Sequence, residues 1–147
     1  MENAIIIKKI SDALSLEKED IEDIYKLENR DITSNDIDKI LIEATYEDLG
    51  IFLDGLISFK RGKLDNPKDV VDVELTNNLI LKKLRVALNL KSSELIIIFS
   101  LADIELKMSE INSLFRKEGT KNYRVCSDEL LEIFLDGLDE FYYSGNI

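Results

Sequence analysis

The chain of 147 residues contains no histidine and no tryptophan, and it has one cysteine and one proline. Without histidine, it cannot form a Ser-His-Asp or Cys-His catalytic arrangement or a histidine-ligated zinc site, and it lacks the most common general base. The single cysteine, Cys126, cannot form an internal disulfide. We therefore expect a non-enzymatic protein with no catalytic residues, no bound metal and no cofactor.

Long apolar runs are also absent. No segment approaches the roughly 18 apolar residues of a membrane span, and the start "MENAIIIKKI" has neither the long apolar core nor the small-residue cleavage site of a signal peptide. These features predict a cytoplasmic protein without membrane contact. The formal net charge of −11 opposes binding to phosphate backbones, so we do not expect nucleic acid to be the main partner.

The hexapeptide "IFLDGL" occurs at residues 51–56 and again at 133–138. A shift of 74 residues aligns "NAIIIKKISDALSL" (3–16) with "NNLILKKLRVALNL" (77–90), and a shift of 82 aligns the two hexapeptides. Such internal similarity is typical of tandem repeats. We predict helical repeat 1 at residues 1–61, a connector at 62–75 and helical repeat 2 at 76–147.

Apolar residues at helical spacing predict four helices in each repeat. The run "ELIIIFSL" (94–101) resembles a strand, but it aligns with the amphipathic "DIEDIYKL" (20–27), so we predict a helix there. The predicted fold is all-α: two tandem four-helix repeats, about eight helices, packed into one compact body. The predicted helix caps are Ser34 or Asn35, Thr45, Ser109, and Ser127 or Asp128.

In the repeated hexapeptide the apolar residues share one helical face, from which Asp54 points away. Gly55 and Gly137 lie at the margin of this face, although glycine inside a helix costs about 1 kcal/mol relative to alanine. Two interpretations stay open. In the first, the fourth helices pack closely against a neighbouring helix, which in one version is the other fourth helix. In the second, both glycines are inherited without present need. The pairs at 8–9 and 82–83, both Lys-Lys, are interpreted as solvated helix surface.

The stretch "RKEGTKNYRVCS" (116–127) replaces the shorter "IEAT" (42–45) of repeat 1. Residues 107–124 carry five basic and two acidic side chains on an otherwise acidic chain. Such a loop can hold an anion or an acidic protein segment by charge-assisted hydrogen bonds. Alternatively, its cations pair with the acidic first repeat while Tyr123 and Cys126 fill the core. The candidate binding residues are Arg116, Lys117, Lys121, Asn122, Tyr123 and Arg124.

The elements "NLILKKLRVALNLKSSEL", "SEINSLFRK", "NYRVCSDELLEIFLDGL" and "FLDGLISFKRGK" resemble the YehS-like family of small bacterial proteins. This resemblance implies a helical tandem repeat in a bacterial cytoplasmic protein and supplies no catalytic residues. Repeat 1 departs from the family pattern, because the longer loop before its fourth helix is reduced to "IEAT".

The sequence favours a protein-interaction or regulatory module that binds a protein partner or a second copy of itself. The alternative is weak binding of nucleic acid or nucleotide through the basic loop at 116–124.

Overall fold

The computed structural model describes residues 1–62 and 74–143. These ranges contain eight α-helices and no β-strand, which confirms the predicted all-α fold. Most of the predicted connector falls on residues 63–73, which lie outside the described residues, as do residues 144–147. The helices are α1 (Asn3–Ala13), α2 (Lys18–Leu27), α3 (Ser34–Ile40), α4 (Tyr46–Arg61), α5 (Asn77–Leu88), α6 (Ser92–Leu101), α7 (Met108–Leu114) and α8 (Asp128–Tyr143).

Two of the predicted helix caps are confirmed. Thr45 caps α4, because its side chain accepts a hydrogen bond from the backbone N–H of Asp48 (3.0 Å), whose carboxylate accepts from the Thr45 N–H (2.9 Å). Ser127 caps α8, because its hydroxyl accepts from the backbone N–H of Leu130 (3.1 Å). Each contact satisfies an amide that has no partner inside its helix.

Two other predicted caps are wrong. Helix α3 is capped by Thr33, one residue before Ser34, because Thr33 and Asp36 form a reciprocal capping box. Helix α7 begins at Met108, so Ser109 lies inside the helix, and the Glu110 carboxylate accepts from the Lys107 N–H (3.0 Å). In both cases the acidic residue at the third helical position fixes where the helix begins.

The strand-like run is helical, as predicted. Helix α6 buries Leu95, Ile98 and Phe99, while Ile97 and Leu101 are exposed. The helical period is weak in this segment because apolar residues also occupy the solvent-facing side.

Helices from the two ends of the chain pack against each other. Within each half, α2 packs on α4 and α6 packs on α8; between the halves, α1 packs on α8 and α4 packs on α5. Buried side chains from both halves form one hydrophobic cluster. Corresponding aromatic pairs lie in this core, with ring centroids 6.4 Å apart for Tyr25 and Phe52 and 5.4 Å apart for Phe99 and Phe134.

The two hexapeptide glycines lie against the second helix of their own half. A Cβ atom at Gly55 would overlap the carbonyl oxygen of Ile24 on α2, and one at Gly137 would overlap that of Ile98 on α6. The close approach is therefore present, but the suggestion that α4 and α8 meet each other at these glycines is wrong. A missing side chain lets α2 and α6 reach the backbone of the fourth helices.

The hexapeptide aspartates form ion pairs between the two halves, which the sequence did not predict. Asp54 on α4 is paired with Lys83 on α5, and Asp136 on α8 is 2.9 Å from the Lys9 ammonium on α1. The prediction of solvated surface is thus wrong for Lys9 and Lys83, whereas it holds for Lys8 and Lys82, which are exposed. The division into repeats at residues 61 and 76, and their origin by duplication, remain predictions.

Candidate functional site

The loop between α7 and α8 is held at both of its ends by one side chain, Asn78 of α5. The Asn78 amide nitrogen donates to the backbone oxygens of Leu114 (2.9 Å) and Arg124 (2.8 Å), and its oxygen accepts from the N–H of Cys126 (2.8 Å). A backbone bond from the Arg124 N–H to the Ser113 oxygen (3.0 Å) closes the loop. The amide therefore fixes the positions where the chain leaves α7 and approaches α8.

Asn78 was missed by sequence reasoning, because an asparagine in the first turn of a helix does not indicate a loop contact. The signal lies in the comparison of the repeats. The position 74 residues earlier is Ala4, in the repeat that lacks the longer loop. An asparagine that is present only where the loop is present is consistent with its role in holding that loop.

Short-range hydrogen bonds order the tip of the loop. The Thr120 N–H donates to the Lys117 oxygen (3.2 Å), and the Tyr123 N–H donates to the Thr120 oxygen (3.2 Å). Gly119 and Asn122 have positive φ angles of 85° and 68°. Glycine adopts this conformation without steric cost and asparagine tolerates it better than most residues, so both suit the turn.

The candidate cations lie on the outside of this loop. Arg116, Lys117 and Lys121 are exposed, as is Asn122. Within residues 1–62 and 74–143, none of these three cations forms an ion pair.

Arg124 is also exposed, and it has a partner on the neighbouring helix. Its guanidinium lies 3.6 Å from the Glu110 carboxylate of α7, and each side chain keeps more than 40% of its surface exposed (43% and 42%). The part of the chain that the structure describes therefore shows no ion pair between the loop cations and repeat 1, which the alternative interpretation required.

Tyr123 and Cys126 face the protein to different degrees. Cys126 is 2% exposed, and burial raises the pKa of its thiol to about 11, against a smaller opposing effect of Arg124. Tyr123 is half-buried. Its pKa is raised, first by desolvation and to a smaller extent by the negative charge of Glu118. Between them, Val125 is 71% exposed. The buried thiol fills space at the start of α8, whereas Val125 is an apolar side chain presented to solvent.

The described residues offer neither a metal-binding cluster nor a membrane-spanning helix. Residues 1–62 and 74–143 contain no group of three or more histidine, cysteine, aspartate or glutamate side chains placed to hold a metal ion. Over the same ranges, no helix combines the length and apolarity that a membrane span requires.

Comparison with known proteins confirms the resemblance predicted from the sequence. Residues 77–142 match a family model described as "Protein of unknown function (DUF1456)". The chain is 40% identical over 92 residues to "Uncharacterized protein YehS" of Escherichia coli strain K12, an alignment that covers 61% of this chain. The chain spans 58% of the length of that relative. No solved structure shows significant similarity.

Proposed function

We propose that this YehS-like chain is a non-enzymatic protein-interaction module that binds an acidic segment of a partner through residues 116–124. The observation that carries the proposal is the loop itself. Asn78 and the backbone bonds hold it in place, and Arg116, Lys117 and Lys121 project from it without ion-pair partners among the described residues.

The chemistry of the loop suits a carboxylate-bearing partner. Arginine and lysine form charge-assisted hydrogen bonds with carboxylates, and these are roughly twice as strong as hydrogen bonds between neutral groups. Val125, exposed beside the cations, supplies apolar contact. Because hydrogen bonds already hold the loop backbone, little backbone entropy is lost on binding. A single loop offers a small contact area, which fits a transient complex.

The same cations support nucleic-acid binding less well. The loop has four basic side chains, whereas the whole chain carries a net charge of −11 that repels phosphates. Its only aromatic side chain, Tyr123, is half-buried and poorly placed to stack on bases. We expect dissociation constants no tighter than roughly 10⁻⁴ M for oligonucleotides at physiological salt.

The proposal is tested with immobilised protein and lysate of the source cells, using two variants of equal charge. One variant combines Arg116→Glu, Lys117→Glu and Lys121→Glu. The control combines Lys26→Glu, Lys39→Glu and Lys82→Glu, three exposed positions away from the loop. We expect a discrete partner protein to be retained by the unmodified chain and by the control, and to be lost with the loop variant.

Equal loss in both variants would instead indicate nonspecific attraction and would contradict the proposal. Labelled single- and double-stranded oligonucleotides serve as a second arm. Micromolar binding that disappears only in the loop variant would replace the protein-interaction proposal with the nucleic-acid alternative.

A further inference from the structure

A cavity of about 310 Å³ lies behind the basic loop, between the two halves of the molecule. We call it the inter-repeat cavity. Its volume is at the lower end of the range of small-molecule sites, roughly 300–1,000 Å³. It lies where α1, α4, α5 and α8 begin, and residues from all four helix starts line it, among them Asn3, Tyr46, Asn77 and Asp128.

The lining of the cavity follows the sequence repeat. Asn3 and Asn77, 74 residues apart, both contribute, and so do Ile6 and Ile80 at the same spacing. The cavity therefore lies between corresponding positions of the two halves.

The longer loop of repeat 2 makes this cavity asymmetric. Glu118 and Tyr123 line it, and they come from the stretch in which repeat 2 is eight residues longer than repeat 1. The loop thus has two sides: the exposed cations face solvent, while Glu118 and Tyr123 contribute to the cavity. The cations Arg116, Lys117 and Lys121 do not line the cavity, whereas Tyr123 and Val125 contribute both to the cavity and to the loop surface.

The charged groups of the cavity wall are three carboxylates and the Met1 ammonium, which is paired with Asp128. Glu74, Glu118 and Asp128 contribute carboxylates, Tyr46 and Tyr123 contribute rings, and no lysine or arginine is among the described lining residues. Carboxylates accept hydrogen bonds from ammonium groups, and aromatic faces attract cations electrostatically. This combination selects for positive charge.

The three carboxylates differ in whether they already have hydrogen-bond or ion-pair partners. Asp128 accepts from the Asn77 side-chain nitrogen (2.8 Å) and from the Met1 nitrogen (2.9 Å), and these contacts lower its pKa. Glu74 and Glu118 form no ion pair with any described residue. Among the described residues, no cation competes with a ligand for these two carboxylates.

The four helix starts oppose the binding of a cation, because the amino-terminal end of a helix carries partial positive charge. Their effect is reduced by capping: Thr45, Thr76 and Ser127 already accept free amides of α4, α5 and α8. With the Met1 ammonium paired to Asp128, the two full negative charges of Glu74 and Glu118 are then the stronger local influence.

We propose that the inter-repeat cavity binds a small organic ammonium compound, with Glu74 and Glu118 accepting its N–H groups beside the rings of Tyr46 and Tyr123. This site shares the loop with the proposed protein-binding surface but does not use the cations Arg116, Lys117 and Lys121, so each proposal has its own test.

The test is a titration of the full-length ¹⁵N-labelled protein with 1,4-diaminobutane, followed by amide chemical shifts. We expect saturable changes centred on Asn77, Asn78 and Tyr123, with a dissociation constant on the order of 10⁻³ M or tighter. Two compounds of similar length isolate the charge: 1,4-butanediol is neutral and succinate is anionic. Neither should give saturable changes at these amides.

Substitutions then identify the ligating groups. Glu74→Gln and Glu118→Gln should each weaken diamine binding roughly tenfold, because each replaces a charged acceptor with a neutral one. The matched controls Glu129→Gln and Glu132→Gln change exposed residues of α8 outside the cavity and should leave the affinity unchanged.

Three results would overturn the proposal: no saturable change with the diamine, changes spread over the acidic surface of α2 and unaffected by the cavity variants, or succinate acting on the same amides. None of these results bears on whether the loop cations bind a protein.

Discussion

Gly137→Ala tests the close contact between α6 and α8. Helix propensity alone predicts that alanine stabilises the protein by about 1 kcal/mol, because glycine is the weaker helix former. The structure predicts the opposite. An added Cβ atom would lie 2.9 Å from the carbonyl carbon of Ile98, 3.1 Å from its Cγ2 atom, and closer still to its carbonyl oxygen.

The contact with backbone atoms decides the size of the effect. A side chain could rotate away from the new methyl group, but the carbonyl of Ile98 belongs to α6, so the two helices must move apart. Overpacking in a core typically costs 1–3 kcal/mol, and the separation of two helices loses contacts along both. We expect a net loss of about 2 kcal/mol in the free energy of unfolding, after subtracting the propensity gain.

The measurement is urea denaturation of the full chain, supported by thermal unfolding. A loss of about 2 kcal/mol corresponds to a fall in Tm of roughly 4–8 °C for a protein of this size. The control is Asp139→Ala, at an exposed position on the same helix, which should change stability by no more than about 0.5 kcal/mol. Unchanged or increased stability of Gly137→Ala would refute the close approach of α6 and α8.

Two other predictions concern the contact between the halves and the buried thiol. A double-mutant cycle on Asp54 and Lys83, whose side chains are 23% and 20% exposed, should give a coupling of about 1 kcal/mol. The more exposed pair of Lys9 and Asp136 should give less, and equal or absent coupling in both cycles would contradict this difference. Native Cys126 should react with thiol reagents at neutral pH about 100-fold more slowly than in urea, because burial raises its pKa to about 11. The pKa of this thiol is higher in the folded than in the unfolded protein, so stability should fall as the pH rises from about 9 to about 11. This pH-dependent loss of stability should be missing in Cys126→Ala. Rapid labelling of the native protein would show that the thiol is accessible.

The helices were predictable because their apolar periodicity is local. Thr45 and Ser127 were identifiable as caps from sequence for the same reason: the capping residue and its helix are adjacent in the chain. The errors at Ser34 and Ser109 arose because a nearby acidic residue competes to set the start of the helix. Local competition of this kind shifts a boundary by one or two residues and leaves the helix itself in place.

Partners across the fold could not be predicted in this way. Close approach at Gly55 was one of two interpretations that the sequence left open, and the identity of the approaching helix depends on the packing of the whole chain. The ion pair of Asp54 with Lys83 joins residues 29 positions apart, and no local pattern selects that partner. The inter-repeat cavity was missed for the same reason, since its wall combines four helix starts with the inner side of a loop.

The candidate loop was predictable in outline. Its position, its charge and the comparison with the shorter "IEAT" all follow from the aligned repeats. Its order was not predictable, because it depends on three hydrogen bonds of the Asn78 side chain, two donated and one accepted. The nearest partner in the chain, Leu114, is 36 residues away.

Site-specific photo-crosslinking tests the proposed function most directly. A photoreactive amino acid replaces Lys121 at the tip of the loop in one version of the full chain, and replaces the exposed Lys26 of α2 in the other. After irradiation in cells, we predict a discrete protein adduct from position 121, carrying an acidic segment at the crosslinked site, and no such adduct from position 26. Equal labelling from both positions, or crosslinks from position 121 to nucleic acid alone, would contradict a protein-binding role for residues 116–124.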